Sequence, residues 1–311
     1  MTEQQRNYLD PAALMKIKSL TLRAKAVADG FQSGIHRSPY HGFSAEFSEY
    51  RQYSAGDDPK YLDWRLFARS DRYYIKKFED ETNRRCYLLV DLSKSMQYSS
   101  GDYSKAEYAR TLAATLAYFL TNQRDSVGLL LFAEEIIDYH EARFRPGHLG
   151  RLLASLDRNT EGSGTDLQKP LTQLARTVHR RGLVVLISDM LADIELLQNN
   201  LSYLRSRGHD VLVLRVLDPA ELDFPFTEAN VVHDLETGRD LYIEPSEARK
   251  QYIQNFNAHD EAVQDACRRI GADYTRLLTN NPIENGLFDV LRSQMQRGRK
   301  VMRRDRAGGR V

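Results

Sequence analysis

The chain has 311 residues, of which 41% are hydrophobic and 28% charged, and its formal net charge is +1. This content can bury a sizeable core, and we expect one large, elaborated domain. No segment approaches the roughly 18 consecutive apolar residues of a membrane helix, and the polar start lacks the apolar centre of a signal peptide. A cytoplasmic location is therefore the default expectation. The two cysteines, Cys86 and Cys267, do not indicate a disulfide framework, and both are expected to be buried, reduced thiols.

The net charge conceals a basic C-terminal tail. Residues 297–311 contain seven basic residues and one acidic residue, so they carry +6 and leave −5 on the rest of the chain. Such a tail is typical of a disordered, solvated terminus. Contact with nucleic acid or an anionic membrane surface is the alternative, although no aromatic residue interleaves the charges to stack on bases.

The N-terminal part precedes the main domain. Asp10 and Pro11 supply an N-cap acid and a proline at the first helical position, which predicts a helix running to about residue 28. Residues 30–80 form an irregular, aromatic-rich segment whose rings are expected to pack onto the main domain. The predicted divisions are 1–82 for this extension, 83–296 for the main domain and 297–311 for the tail.

Strands and helices alternate through the main domain. Apolar runs predict strands at 87–90, 126–132, 183–189, 210–217 and 272–277, with a short edge strand at 135–139 beside the second of them. Helical spacing predicts helices at 104–120, 147–156, 167–180, 194–205, 247–270 and 283–297. Two apolar runs near 229–245 flank a turn and predict a hairpin insertion. The alternation predicts an α/β fold with a mostly parallel sheet and helices on both faces.

The run from Tyr87 to Ser95 is the most informative stretch of the chain. Asp91 follows a buried strand directly, and it should emerge at the carboxyl end, where open α/β sheets bind ligands. Asp91, Ser93 and Ser95 alternate in position, which lets three oxygen-bearing side chains turn inward on one loop. Oxygen ligands suit Mg²⁺, Mn²⁺ or Ca²⁺ rather than zinc, and Mg²⁺ is the expected ion.

Two later segments extend this set of oxygen ligands. Thr165 lies in a glycine-containing loop at a predicted helix start, and Asp189 ends a second buried strand. The candidate metal ligands are therefore Asp91, Ser93, Ser95, Thr165 and Asp189. Asp166 is a possible sixth contributor, with capping of its helix as the other role. The alternative for the whole set is a polar cluster that caps helices without binding metal.

The order of these residues resembles the metal-ion-dependent adhesion site of von Willebrand factor type A domains, whose pattern is Asp-x-Ser-x-Ser, then Thr, then Asp. The wider chain, roughly from residue 22 to 291, resembles the family called domain of unknown function 58. The resemblance is carried by the segments at 34–38, 46–53, 56–64, 68–70, 218–221, 224–226 and 234–238. Ser70 departs from the threonine expected there, which leaves the metal ligands unaffected.

The resemblance implies a fold and a function. Members of the family place an entry segment before a type A domain, and they are often encoded beside MoxR-type AAA+ ATPases. A non-catalytic, metal-dependent protein-interaction module follows, in which an acidic side chain of a client protein completes the coordination of the metal. In this picture Thr165 engages or releases the ion as its loop moves, and Asp189 orients a coordinated water. Remodelling of clients with a MoxR-type ATPase is expected from the family alone.

Enzyme functions find less support in the residues. A haloacid dehalogenase-type phosphotransferase needs a second acid two residues after Asp91, where this chain has Ser93. The glycines at 162 and 164 lack nucleotide-binding spacing. No catalytic or cofactor-binding residue is therefore assigned. Two alternatives stay open: a metal-dependent phosphoester hydrolase that uses the same five residues, and a nucleic-acid-associated protein that binds through its tail.

Overall fold

The computed structural model describes residues 9–36, 49–53, 67, 69, 72–77, 84–158, 172–173, 180–225, 230–233, 240–243, 245–291 and 293. Predictions for Thr165, Asp166 and the basic tail lie outside these residues, as does most of the helix predicted at 167–180. The chain divides into two compact units, one formed by residues 1–32 and 84–311 and the other by residues 33–83.

Six of the described strands have six to eight residues, and the other four have four residues each. In chain order they are β1 (Glu49–Gln52), β2 (Tyr74–Lys77), β3 (Arg85–Asp91), β4 (Ser126–Phe132), β5 (Ile136–Arg143), β6 (Leu183–Ser188), β7 (Asp210–Leu217), β8 (Asn230–His233), β9 (Asp240–Ile243) and β10 (Asp273–Leu278). The helices are α1 (Pro11–Met15), α2 (Leu20–His36), α3 (Lys105–Asn122), α4 (His148–Asp157), α5 (Ile194–Ser206), α6 (Pro219–Asp223), α7 (Pro245–Ile270) and α8 (284–291). A 3₁₀ turn covers Ser95–Gln97.

The larger unit is built on a six-stranded sheet in the order β10-β7-β6-β3-β4-β5. All neighbouring strands are parallel except β5, which pairs antiparallel with β4 at the edge. This confirms the predicted mixed α/β, Rossmann-like architecture and the predicted edge strand. The predicted hairpin is confirmed as well, because β8 and β9 pair antiparallel in a separate two-stranded sheet.

Helices cover both faces of this sheet, which explains why its central strands are mostly apolar. On one face, Tyr87 and Leu89 of β3 share a core cluster with residues of α5 and α7. On the other face, Leu88 and Val90 are fully buried, and α3 packs against β3 and β4. Phe31 of α2 meets Phe119 of α3 edge-on, with ring centroids 5.5 Å apart, and so extends this second layer.

The N-terminal helix differs from its prediction. One helix from Asp10 to about residue 28 is wrong, because residues 16–19 separate α1 from α2. Asp10 does cap α1, accepting from the backbone N–H of Ala12 at 3.3 Å, and Pro11 opens that helix. The break follows from Ser19, whose hydroxyl accepts a hydrogen bond from the backbone N–H of Leu22 at 3.4 Å and caps a new helix instead of continuing the first.

In the part of the smaller unit that the structure describes, β1 pairs antiparallel with β2. The Tyr53 N–H donates to the Tyr73 carbonyl beyond the end of this pair at 2.9 Å. Phe67 stacks on Tyr73 with ring centroids 4.4 Å apart. In this unit, therefore, aromatic side chains pack on one another beside a short ribbon.

Cys86 and Cys267 are both buried thiols outside any disulfide, as expected. Among the helices that the structure describes, none combines the length and the apolar character needed to cross a membrane.

Candidate metal centre

The candidate site lies where the strand order of the sheet reverses. The chain passes from β3 to β4 on one side and later returns to place β6 on the other side of β3. In open α/β sheets, the crevice outside the carboxyl ends of strands at such a switch point is where ligands bind. Asp91 is the last residue of β3, and Asp189 directly follows β6. The two predicted carboxylates therefore share this crevice.

Asp91, Ser93 and Ser95 converge on one loop, as predicted. The Ser93 N–H donates to Asp91 Oδ1 at 2.9 Å, which bends the loop back over the carboxylate. The hydroxyl oxygens of Ser93 and Ser95 lie 3.1 Å apart. Asp91 and Ser93 are fully buried, and Ser95 is nearly so. Three of the five predicted ligands thus present buried oxygen atoms on one loop.

The surroundings of Asp91 disfavour the charged form of its carboxyl group. Burial, followed by the nearby negative charge of Asp189, raises the pKa of Asp91 to about 7. Hydrogen bonds from Ser188 and Ser93 oppose this shift without cancelling it. A bound cation is the kind of partner that would favour the ionised carboxylate here.

Asp189 is held by groups that the sequence analysis did not assign. Its Oδ2 accepts from Lys105 Nζ at 2.9 Å, and its Oδ1 accepts from the Leu191 N–H at 3.3 Å. Lys105 also donates to Glu221 Oε1 at 2.7 Å, and the side chains of Lys105 and Asp189 are fully buried. Burial alone would lower the pKa of Lys105, but the two carboxylates raise it above its usual value, so the ammonium stays charged.

Glu221 is in turn fixed by a capping box at the start of α6. The Asp218 N–H donates to Glu221 Oε2 at 2.7 Å, and Asp218 Oδ1 accepts from the Ala220 N–H at 2.9 Å. Asp218 also receives hydrogen bonds from the backbone N–H and the hydroxyl of Ser100. The loop that follows the Asp91 segment is thereby fastened to the same helix that holds Lys105 through Glu221.

Two further side chains, Arg215 and His259, contact the backbone of Asp189 and Met190. Arg215 of β7 donates from Nε to the Asp189 carbonyl at 2.9 Å and from Nη1 to Asp260 Oδ1 at 2.7 Å. His259 Nε2 lies 2.9 Å from the Met190 carbonyl, and the Met190 N–H donates to Ser188 Oγ at 3.0 Å. These contacts hold Met190 at a positive φ of 59°, so the loop carrying Asp189 is preorganised.

Lys105, Ser188, Arg215 and Glu221 are the site residues that sequence reasoning missed. A lysine in the first turn of a helix opposes the helix dipole, and an arginine inside the apolar strand β7 must find a buried partner. Those two anomalies were the available signals. Their partners are far away in sequence, and Lys105 and Asp189 are 84 positions apart. Ser188 gave no signal beyond its place beside Asp189.

The residues present fit a hard divalent cation. Within the described ranges, no group of three or more His, Cys, Asp or Glu side chains is arranged to hold a metal, so an ion here would depend on hydroxyl ligands. Ser93 and Ser95 supply hydroxyls beside Asp91. The formal charges of Asp91, Asp189, Glu221 and Lys105 add up to −2, which matches a divalent ion. Thr165, the fifth predicted ligand, lies outside the described residues.

Comparison with known proteins identifies relatives along most of the chain. A family model described as protein of unknown function DUF58 matches residues 49–262, more than half of the chain. Uncharacterized proteins of Mycobacterium bovis and Mycobacterium tuberculosis are each 28% identical over 298 residues, covering 94% of this chain and 92% of the relative. An uncharacterized protein of Mycobacterium avium is 32% identical over 154 residues, covering 49% of this chain and 88% of its own.

Two solved structures from Bacteroides are also similar. The conserved hypothetical protein BatB of Bacteroides thetaiotaomicron is 17% identical, with 68% of this chain and 99% of that chain covered and a TM-score of 0.44. An aerotolerance-related membrane protein of Bacteroides fragilis is 19% identical, with 65% of this chain and 95% of that chain covered and a TM-score of 0.43.

Proposed function

We propose that this chain, which belongs to the family described as protein of unknown function DUF58, is a non-catalytic protein-interaction module that binds its partner through a divalent metal ion. The ion is held by Asp91, Ser93, Ser95, Thr165 and Asp189, in the manner of a von Willebrand factor type A domain. The observation that carries the proposal is the convergence of Asp91 and the two serine hydroxyls with Asp189 at the switch point of the sheet.

The proposed ligands have different roles in the centre. Asp91 and the hydroxyls of Ser93 and Ser95 form the fixed part of the centre. Asp189, whose two oxygens are already engaged by Lys105 and the Leu191 N–H, acts through a water in the coordination shell. When bound, Mg²⁺ supplies an open coordination position that an acidic side chain of a client protein fills.

A phosphoester hydrolase is less compatible with these contacts. Hydrolysis needs a group within reach of a water molecule that can take its proton. The second carboxylate of the centre, Asp189, already accepts from Lys105 at 2.9 Å and from the Leu191 N–H at 3.3 Å. Its pairing with a buried ammonium suits a positioning role rather than that of a general base.

Metal binding is tested by titrating Mn²⁺ and Mg²⁺ into the full chain and into Asp91→Ala. The matched control is Asp102→Ala, which removes an exposed carboxylate from the loop between β3 and α3. Wild type and control should bind, and each should gain about 1.4 kcal/mol of stability at ten times the dissociation constant. Asp91→Ala should lose both effects. Equal binding by all three proteins would place the metal elsewhere and overturn the proposal.

The partner is tested with the same variants. We propose a MoxR-type AAA+ ATPase as the machine with which the module works, and an acidic side chain of a client protein as the metal-bound contact. Purified MoxR-type ATPase from the same organism should co-elute with wild type, Asp102→Ala and Asp91→Ala alike, because the ATPase is not the metal-bound contact. Client proteins bound by wild type and Asp102→Ala in Mg²⁺ should be released by chelator and should not bind Asp91→Ala. Client binding that is unaffected by both chelator and Asp91→Ala would exclude a metal-bridged complex.

A further inference from the structure

Lys105 is a cation built into the candidate metal centre. Its ammonium is fully buried and lies 2.9 Å from Asp189 Oδ2 and 2.7 Å from Glu221 Oε1. It is also the first residue of α3, directly after the N-cap Ser104, where the positive end of the helix dipole disfavours a cation. Burial and the dipole both oppose an ammonium at this position, so the two carboxylates are what hold it there.

We propose that Lys105 is a positioning residue that limits the metal affinity of the centre by occupying Asp189, an inference that rests on the proposed function. With Lys105 present, the formal charge of Asp91, Asp189, Glu221 and Lys105 is −2; without it the charge is −3. Attraction for a divalent cation grows with each uncompensated negative charge nearby. The ammonium therefore keeps the free protein a weak metal binder, and a partner carboxylate completes the centre.

A charge effect of Lys105 and a purely supporting role predict opposite changes in metal affinity when Lys105 is removed. If the Lys105–Glu221 pair only orients Asp189, breaking it from either end should weaken metal binding, typically by about 10- to 100-fold. If Lys105 acts through its charge, the two ends give opposite results. Removing Lys105 frees Asp189 and adds a net negative charge, whereas neutralising Glu221 leaves the ammonium to Asp189 alone and reduces the site charge to −1.

The experiment is a Mn²⁺ titration of the full chain. Free Mn²⁺ is measured by its electron paramagnetic resonance signal, and the titration is repeated by calorimetry. Lys105→Met should bind Mn²⁺ roughly tenfold more tightly than wild type, and Glu221→Gln roughly tenfold more weakly. The matched control, Lys250→Met, removes the same charge from an exposed position on α7 and should leave the affinity unchanged. Circular dichroism confirms that each variant is folded.

The outcomes separate this inference from the proposed function. Weaker binding by both Lys105→Met and Glu221→Gln, or no change in Lys105→Met, overturns the inference while the metal centre stands. Binding by Lys105→Met alone supports the inference and overturns metal binding by the free wild type. Binding by no folded variant overturns both.

A double variant keeps the test decisive where a single variant fails to fold. Lys105→Met with Glu221→Gln removes both charges of the pair and restores the site charge to −2. Its affinity should therefore be close to that of wild type. A loss of binding in this folded double variant overturns the inference.

Discussion

The hydroxyl of Ser188 donates a 2.6 Å hydrogen bond to Asp91 Oδ2 and so joins the carboxyl ends of two neighbouring strands. The Ser188 Oγ atom also accepts a hydrogen bond from the Met190 N–H at 3.0 Å. One side chain therefore orients the carboxylate of the first loop and the backbone of the second. Asp91 is fully buried, so water does not compete for this oxygen and the contact helps to fix the orientation of the carboxylate.

Ser188→Ala should lower both stability and metal affinity. The substitution leaves a buried carboxylate oxygen and a buried N–H without their partner, which costs about 1–3 kcal/mol. Ser206→Ala is the control, because Ser206 donates only to a carbonyl at an exposed helix end. Urea unfolding and a Mn²⁺ titration measure the two effects. Equal results for the two variants would show that Ser188 does not organise the centre.

The stabilisation by Mg²⁺ should increase with pH. An unfolded aspartic acid has a pKa of about 3.9, whereas burial beside Asp189 raises the pKa of Asp91 to about 7 in the folded, metal-free protein. The folded state thus retains a proton that the unfolded chain releases, and metal-free stability falls as pH rises through this window. Because Mg²⁺ displaces that proton, its shift in Tm should be larger at about pH 8 than at about pH 5.5. A shift independent of pH, or one retained in Asp91→Asn, would contradict this.

Asp260→Asn should destabilise the protein strongly. Asp260 lies 2.7 Å from Arg215, whose side chain is fully buried, and accepts from the Tyr274 hydroxyl at 2.7 Å. The variant leaves a buried guanidinium without its counter-charge, for which about 3–5 kcal/mol is expected. Asp265→Asn on the same helix breaks an exposed pair with Arg268 and should change stability by less than about 1 kcal/mol. Urea unfolding at neutral pH compares them.

The same carboxylate should contribute to acid unfolding. Burial alone would raise the pKa of Asp260, but the hydrogen bond from Tyr274 and the charge of Arg215 lower it below its usual value. A lowered folded pKa contributes stability above the unfolded pKa and loses it as pH falls through the folded pKa. Wild type should therefore lose stability below about pH 4 more steeply than Asp260→Asn. Parallel acid-unfolding curves would exclude this contribution.

Gly182→Ala should destabilise the sheet whether or not metal is bound. An added Cβ would lie 2.6 Å from the Arg85 carbonyl oxygen, which belongs to the backbone of β3 and cannot rotate away. Forcing that contact costs about 1–3 kcal/mol. Gly150→Ala provides the opposite control, because nothing lies within 4 Å of its added Cβ and alanine favours the helix α4 by about 0.5–1 kcal/mol. Thermal unfolding should move in opposite directions for the two variants.

Local pattern was sufficient to predict the elements of the sheet. Strands β4 and β7 have the predicted bounds Ser126–Phe132 and Asp210–Leu217, because buried parallel strands are formed by mostly apolar runs. The capping box of Ser104 and Glu107 also forms as predicted. The break at residues 16–19 was missed because Ser19 can continue a helix or cap a new one, and the helical spacing around it continues across the break.

The structure brings four of the five predicted ligands together at the carboxyl ends of β3 and β6, and metal binding by them stays a prediction. The charged groups around these ligands were not predicted. Asp91, Ser93 and Ser95 are near in sequence and could be assigned to one loop from their spacing. The contact of Lys105 with Asp189 and Glu221 joins three elements that only the folded topology brings together. Spacing along the chain contains no information on such a contact, so the cation at the centre could not be predicted.

Both native cysteines can report on unfolding. Cys86 and Cys267 are buried, and burial raises the pKa of the Cys267 thiol to about 11, so the reactive thiolate is scarce in the folded state. A maleimide reagent should therefore label neither thiol until the core opens. The rate of labelling then measures how often the sheet opens, and a cysteine introduced at an exposed position can carry a fluorophore without removal of the native pair.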